Sequence, residues 1–220
     1  MDIKKNLKEL EQEIPEDITL VVVSKTHPVE DIMEAYNAGH RVFGENRVQE
    51  MVDKYKELPK DIEWHMVGHV QTNKVKDMAP FVSLIHGVDR MRLLREINKR
   101  AKREDRVIEC LLQLKIAKEE SKFGMDVETM NNLLTSEDYA NMDNVKIVGL
   151  MGMATFTQSK KQINEEFKFL KKIYDTFAKT HSEFRILSMG MSGDYKIALD
   201  NGSNMLRIGS KVFGEREYQK

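Results

Sequence analysis

The feature that most constrains the fold is a series of eight short apolar runs distributed over the 220 residues. Several of them are apolar at consecutive positions, and β-branched residues are frequent in them. This pattern is typical of strands that are covered on both faces, as in a parallel sheet. We therefore predict eight parallel strands, at 18–23, 41–43, 62–67, 81–85, 107–114, 145–150, 184–187 and 205–208.

Segments with helical spacing separate these runs. The clearest spans 163–177, where apolar residues recur every three or four positions. Seven such segments lie between the strands, and an eighth, at 3–14, precedes the first strand. We expect this first helix to complete the outer ring, because the chain after Phe213 is too short to cover the last strand.

Strands that alternate with helices in this way indicate an α/β fold, and eight repeats indicate a single (β/α)8 TIM barrel with an extra N-terminal helix. An open doubly wound sheet is the alternative. The hydrophobic share of 40% suffices for one sizeable core, and no Gly-Ser linker or low-complexity tract divides the chain. We predict one domain over residues 1–220.

The composition narrows the range of partners. The formal net charge is -1, without the basic stripe that nucleic-acid binding requires. The single cysteine, Cys110, excludes an internal disulfide, and the six scattered histidines show no metal-ligand spacing. No apolar stretch approaches the roughly 18 residues that span a bilayer, and the first residues lack the apolar centre of a signal peptide. We expect a cytoplasmic protein that binds no metal, nucleic acid or membrane.

In a barrel of this type, functional residues collect where strands end. Lys25 comes just after the valines of the first strand, where partial burial would lower the pKa of its amine. A neutral amine can attack an aldehyde and form a Schiff base. The alternative is an ordinary solvated lysine, because lysines are seldom buried.

The loops after strands seven and eight are candidates for a phosphate site. Ser192, Gly193 and Asp194 have the pattern of a helix start, at which Ser192 would be the N-cap and free backbone N–H groups would face an anion. After strand eight, Gly209 allows a close backbone approach next to Ser210. The alternative is that both segments are ordinary turns.

Arg207 interrupts the apolar run of strand eight and therefore needs an acceptor. One candidate is the ring nitrogen of a phosphorylated pyridine aldehyde, for which arginine is a known partner. The other is a buried salt bridge to Glu45 or a neighbouring acid.

The strand-end motifs together resemble those of a known family. They are VVVSKTHPVEDI, FGENRVQEM, WHMVGHVQTNKVK, HGVDR, ESKFGM, GLMGMA, LSMGMSGDYKIAL and LRIGSKVFGER. In this order they resemble the pyridoxal 5'-phosphate (PLP) homeostasis protein family, which in turn resembles the N-terminal barrel of alanine racemase.

The resemblance implies a PLP-binding protein that carries the cofactor as a Schiff base and acts in storage or delivery of PLP, affecting amino-acid and keto-acid balance without established catalysis. We expect a monomer whose partners are PLP and PLP-dependent apoenzymes. The residues it assigns to PLP are Lys25 for the Schiff base, Ser192, Gly209 and Ser210 at the phosphate, Arg207 at the pyridine nitrogen and Asn46 near the ring.

Two enzymatic hypotheses remain beside the carrier. An amino-acid racemase would use the same lysine but needs an acid–base group on each face of the substrate. In the racemase family the second group is a tyrosine beside a C-terminal β-domain, for which we expect no counterpart here. A Schiff-base aldolase acting on a sugar phosphate would also use Lys25 and a phosphate site.

Overall fold

The computed structural model describes residues 2–119 and 123–214, and these form a closed barrel of eight parallel strands. Each strand pairs with the next, and the eighth pairs with the first. The predicted TIM barrel is confirmed, and the open-sheet alternative is wrong. The strands are β1 Thr19–Val23, β2 Val42–Glu45, β3 Glu63–Met66, β4 Leu84–Val88, β5 Ile108–Leu114, β6 Val145–Gly152, β7 Ile186–Ser188 and β8 Met205–Ile208.

The helices lie outside this barrel. Their bounds are α1 Ile3–Glu13, α2 Val29–Asn37, α3 Val48–Glu57, α4 Val75–Met78, α5 Met91–Arg103, α6 Val127–Leu134, α7 Glu137–Ala140, α8 Lys160–Ala178, α9 Tyr195–Asp200 and α10 Ser210–Phe213, with a 3₁₀ turn at Thr72–Lys74. Within residues 2–119 and 123–214, none of the helices combines the length and the hydropathy of a transmembrane span.

Side chains point alternately inward and outward along the strands, and this alternation creates two apolar layers. Residues that point inward form a small core within the barrel, and their neighbours pack outward against the helices. On β8, for example, Met205 belongs to the inner core, whereas Leu206 and Ile208 belong to the outer one. Arg207 follows Met205 by two positions and therefore shares its inward face, which explains a charge within an apolar run.

The predicted fourth strand, 81–85, is displaced from the observed Leu84–Val88. The backbone N–H groups of Phe81 and Val82 both donate to the carbonyl of Met78, so this apolar pair continues the turn after α4. The Arg106 guanidinium also binds the Val82 carbonyl at 2.8 Å, which holds this turn in place. As a consequence His86, one position beyond the predicted strand, lies fully buried within the observed one.

Helix α1 completes the outer ring as predicted. Asp2 is its N-cap and accepts a hydrogen bond from Lys5 N at 2.8 Å. Leu7 and Leu10 on the inner face are buried, and Asn6 Nδ2 donates to the Val212 carbonyl at 3.0 Å. The first helix thus packs against α10, the short helix that follows the last strand.

Candidate ligand-binding site

A cavity of about 860 Å³ opens at the carboxyl end of the barrel strands. Its volume lies within the range of small-molecule sites, roughly 300–1,000 Å³. All six residues that the sequence proposed for PLP line this cavity: Lys25, Asn46, Ser192, Arg207, Gly209 and Ser210. The structure therefore brings together side chains that come from four different strand ends. Their assigned roles stay predictions.

The charged side chains among the described residues of the cavity wall are cationic. Among the described residues that line it, Lys25 and Arg207 carry positive charge, and none is Asp or Glu. Hydroxyl and amide groups supply neutral donors, and Val23, Val67 and Met153 supply apolar surface. This set of groups suits a flat ligand with an anionic tail.

Lys25 lies in the turn after β1 and is half-buried. Its neighbour Ser24 is completely buried. The next residue, Thr26, has φ +67°, a left-handed conformation that is unusual for a β-branched residue. The turn is closed by a hydrogen bond from His27 N to the Ser24 carbonyl at 3.1 Å. Lys25 is thus placed at the cavity wall by a strained, hydrogen-bonded turn.

Arg207 is 4% exposed and is held by two neutral acceptors. Its guanidinium donates to Ser188 Oγ at 2.6 Å and to the Gly152 carbonyl at 3.1 Å. Burial lowers the pKa of Arg207 to about 10, against the opposing charge of Asp194, so the group remains a cation at neutral pH. Of the predicted alternative, a salt bridge to Glu45 or a neighbouring acid, the Glu45 part is wrong, because Glu45 faces α3 and pairs with Lys54 at 2.7 Å. The neighbouring acid whose charge acts on Arg207 is Asp194.

A row of buried polar side chains extends from Arg207 into the barrel. Ser188 Oγ is 3.1 Å from His86 Nδ1, and His86 Nε2 is 3.1 Å from His65 Nδ1. Burial lowers the pKa of His65 to about 3 and that of His86 well below its usual value. Both imidazoles are therefore neutral at pH 7, and the only full charge in the row is on Arg207.

The segment after β7 forms a turn rather than the predicted serine-capped helix start. Helix α9 begins at Tyr195, and its N-cap residue is Asp194, whose Oδ1 accepts from Met191 N at 2.6 Å. The prediction that Ser192 caps the helix is therefore wrong. Ser192 lies within the turn instead and reaches the cavity wall.

Gly209 permits a close approach between strand ends. A Cβ at this position would lie 2.7 Å from the Val23 carbonyl oxygen, closer than real Cβ atoms come. Only glycine fits there without a backbone shift, and Ser210, at the start of α10, lines the cavity directly after it.

Some lining residues were not found from the sequence. Gln113 on β5 is 2% exposed and donates from Nε2 to the Phe123 carbonyl at 3.0 Å. Phe123 stacks on His69, with ring centroids 3.9 Å apart. Gln113 has the inward parity of Leu111 within an apolar run, the same signal that identified Arg207. The motif ESKFGM begins at Glu120, and residues 120–122 lie outside the described chain, as do 215–216 of the last motif.

Comparison with known proteins places the chain in a family. It belongs to the family of the alanine racemase N-terminal domain, whose model matches residues 1–217. Among curated relatives, the pyridoxal phosphate homeostasis protein of Aquifex aeolicus is 40% identical over 201 residues, 90% of this chain and 87% of its own length. The Escherichia coli K12 protein of the same name is 34% identical over 213 residues, 94% of this chain and 89% of its own length.

Solved structures agree with this placement. PipY of Synechococcus elongatus, whose structure has PLP bound, has a TM-score of 0.87 and 32% identity, covering 96% of this chain and 100% of its own. Alanine racemase of Clostridium difficile has a TM-score of 0.79 and 14% identity, covering 99% of this chain and 60% of its own. The racemase comparison shows a shared barrel fold and nothing more.

Proposed function

We propose that this protein binds PLP, carries it as a Schiff base on Lys25 and serves in PLP homeostasis by storing the cofactor and delivering it to apoenzymes. The observation that carries the proposal is the wall of the cavity, with two cations, two serine hydroxyls and no carboxylate among its described residues. The names of the relatives and the PLP-bound PipY structure support it.

The residues present fit PLP by their chemistry. The Ser192 and Ser210 hydroxyls, with the backbone brought close at Gly209, would hold the phosphate. Arg207 retains donors beyond the two it gives to Ser188 and Gly152, and one of these would face the pyridine nitrogen. Asn46 would contact the ring from the end of β2.

Bound PLP would supply an aldehyde, a group with which a neutral amine can condense to form a C=N bond with release of one water. The part of Lys25 is to present that amine at the wall, after its ammonium has lost a proton to solvent. Arg207 cannot accept a proton, so it would keep the ring nitrogen unprotonated and the ring a weak electron sink. This favours carrying the cofactor over breaking bonds of a substrate.

The same proposal includes a monomer acting in the cytoplasm. Cys110, the single cysteine, is a fully buried free thiol. A chain without a disulfide is typical of a reducing compartment, which supports the cytoplasm. Delivery to apoenzymes is supported by the exposed mouth of the cavity, where Phe156 is 90% exposed.

The test is visible absorbance after addition of PLP, followed by borohydride reduction and peptide mass mapping. We expect a chromophore that borohydride removes and a phosphopyridoxyl group on Lys25. Lys25→Ala should lose both signals, whereas Lys74→Ala, which alters a lysine after β3 outside the cavity wall, should keep them. Attachment to another lysine, or no chromophore at all, would refute the proposal.

A further inference from the structure

A buried ionic cluster lies beneath the turn that carries Lys25. Lys54 Nζ, on α3, is 2.7 Å from the Ser24 carbonyl oxygen, 2.7 Å from Glu45 Oε1 and 2.8 Å from Glu50 Oε1. The three acceptors match the three donors of an ammonium. The side chain of Lys54 is 8% exposed and that of Glu45 0%, so the pair lies out of water.

The cluster binds both residues that flank Lys25. On one side, Ser24 donates from Oγ to Glu45 Oε1 at 2.7 Å and accepts at its carbonyl from Lys54. On the other side, Thr26 N donates to Glu50 Oε1 at 2.5 Å. The left-handed backbone of Thr26 is thus held by a carboxylate that is itself held by Lys54.

Stability alone is a poor reason for this arrangement. Charges taken out of water cost free energy, and apolar residues of similar volume usually serve a core at least as well. Glu45 Oε2 is buried without a hydrogen-bond partner in the described part of the chain, and burial raises the pKa of this carboxyl against the opposing charge of Lys54. What the cluster does supply is a fixed geometry for three consecutive residues at the cavity wall.

We propose that Lys54, with Glu45 and Glu50, is a positioning unit that fixes the Ser24–Thr26 backbone so that the Lys25 amine meets the ligand's aldehyde. The inference rests on the proposed function and adds residues that do not touch the cavity themselves. Orientation of a reacting amine favours bond formation, so its loss should weaken covalent attachment more than binding of the phosphate and ring.

Two ligands separate covalent attachment from binding of the phosphate and ring. PLP has the aldehyde, whereas pyridoxine 5'-phosphate has the same ring and phosphate but an alcohol in its place and cannot condense with Lys25. We expect Lys54→Met to raise the Kd for PLP at least tenfold and to change the Kd for pyridoxine 5'-phosphate less than twofold. Lys56→Met is the matched control, because Lys56 is exposed on the same helix and pairs only with Asp53 among the described residues.

A second pair of variants tests the inference even if Lys54→Met does not fold. Glu50 is partly exposed, so Glu50→Ala should fold, yet it removes the acceptor for Thr26 N and should weaken PLP binding selectively. Glu50→Gln keeps an acceptor oxygen and should restore most of the PLP affinity. Equal losses for both ligands would show a merely structural cluster, and unchanged PLP binding in Lys54→Met and Glu50→Ala would also overturn the inference. If the wild-type protein attaches no PLP to Lys25, the proposed function fails together with it.

Discussion

At the scale of single residues, Ser188 joins the proposed ring-nitrogen partner to the barrel interior. Its hydroxyl accepts from Arg207 and contacts His86, and all three residues are buried. A buried donor left without its partner costs free energy, so Ser188→Ala should lower the free energy of unfolding by about 1–3 kcal/mol. Urea denaturation of the PLP-free protein measures it.

Ser182→Ala is the control for that experiment. Ser182 is exposed in the loop before β7, and its truncation should change stability by less than about 0.5 kcal/mol. Equal stability of the Ser188 and Ser182 variants would mean that the hydrogen bond from Arg207 to Ser188 does not contribute to the free energy of unfolding.

The buried imidazoles predict a pH dependence of stability. The pKa of His65 is about 3 in the folded chain, against a usual value of 6.5. Between pH 3 and pH 6.5 the unfolded chain therefore binds a proton at His65 that the folded chain does not, and this favours unfolding. This contribution to stability is present above pH 6.5 and is lost as the pH falls towards 3, by about 1.4 kcal/mol per pH unit.

Because carboxyl groups also titrate in this range, the comparison with a variant is decisive. His65→Gln removes the titrating group, so its free energy of unfolding should depend less steeply on pH between 6 and 4. Chemical denaturation at several pH values checks this. Parallel pH profiles for the two proteins would contradict a neutral, buried His65.

At the scale of elements, α1 supports the segment that begins at the proposed phosphate site. Leu7 is 1% exposed and the helix packs against α10, which starts at Ser210. Leu7→Ala should leave a cavity and lower the free energy of unfolding by about 2–5 kcal/mol. Lys8→Ala, on the exposed face of the same helix, should have little effect in the same denaturation experiment. A Leu7 variant as stable as the Lys8 variant would show that the packing of Leu7 in α1 does not stabilise the fold.

The elements also show what sequence can and cannot predict. The apolar runs predicted most strands correctly, because both faces of each strand in a parallel barrel are covered. Arg207 stands in such a run because it points inward, like Met205 two positions before it. The fourth strand was misplaced because Phe81 and Val82 are apolar for a different reason, as part of a turn held by Arg106. The position of Ser192 depended on hydrogen bonds of Asp194, which no local pattern specifies.

At the scale of the whole molecule, the question is whether the site can do more than carry its cofactor. Racemisation needs an acid–base group on each face of the substrate carbanion. Of the described cavity residues, Lys25 and His69 are the titratable candidates, and none is a tyrosine. His69 is stacked on Phe123, with its Nδ1 3.4 Å from Asp89 Oδ2, at the side of the mouth.

We therefore expect the PLP-loaded protein to interconvert L- and D-alanine no faster than free PLP does. Chiral chromatography, with incorporation of deuterium from heavy water at the α-carbon as a second readout, measures both exchange and inversion. Exchange without inversion would indicate that a single base acts, and would leave the carrier interpretation intact. Inversion at an enzymatic rate, abolished by Lys25→Ala and by His69→Phe, would instead make the pair a two-base site and the protein a racemase.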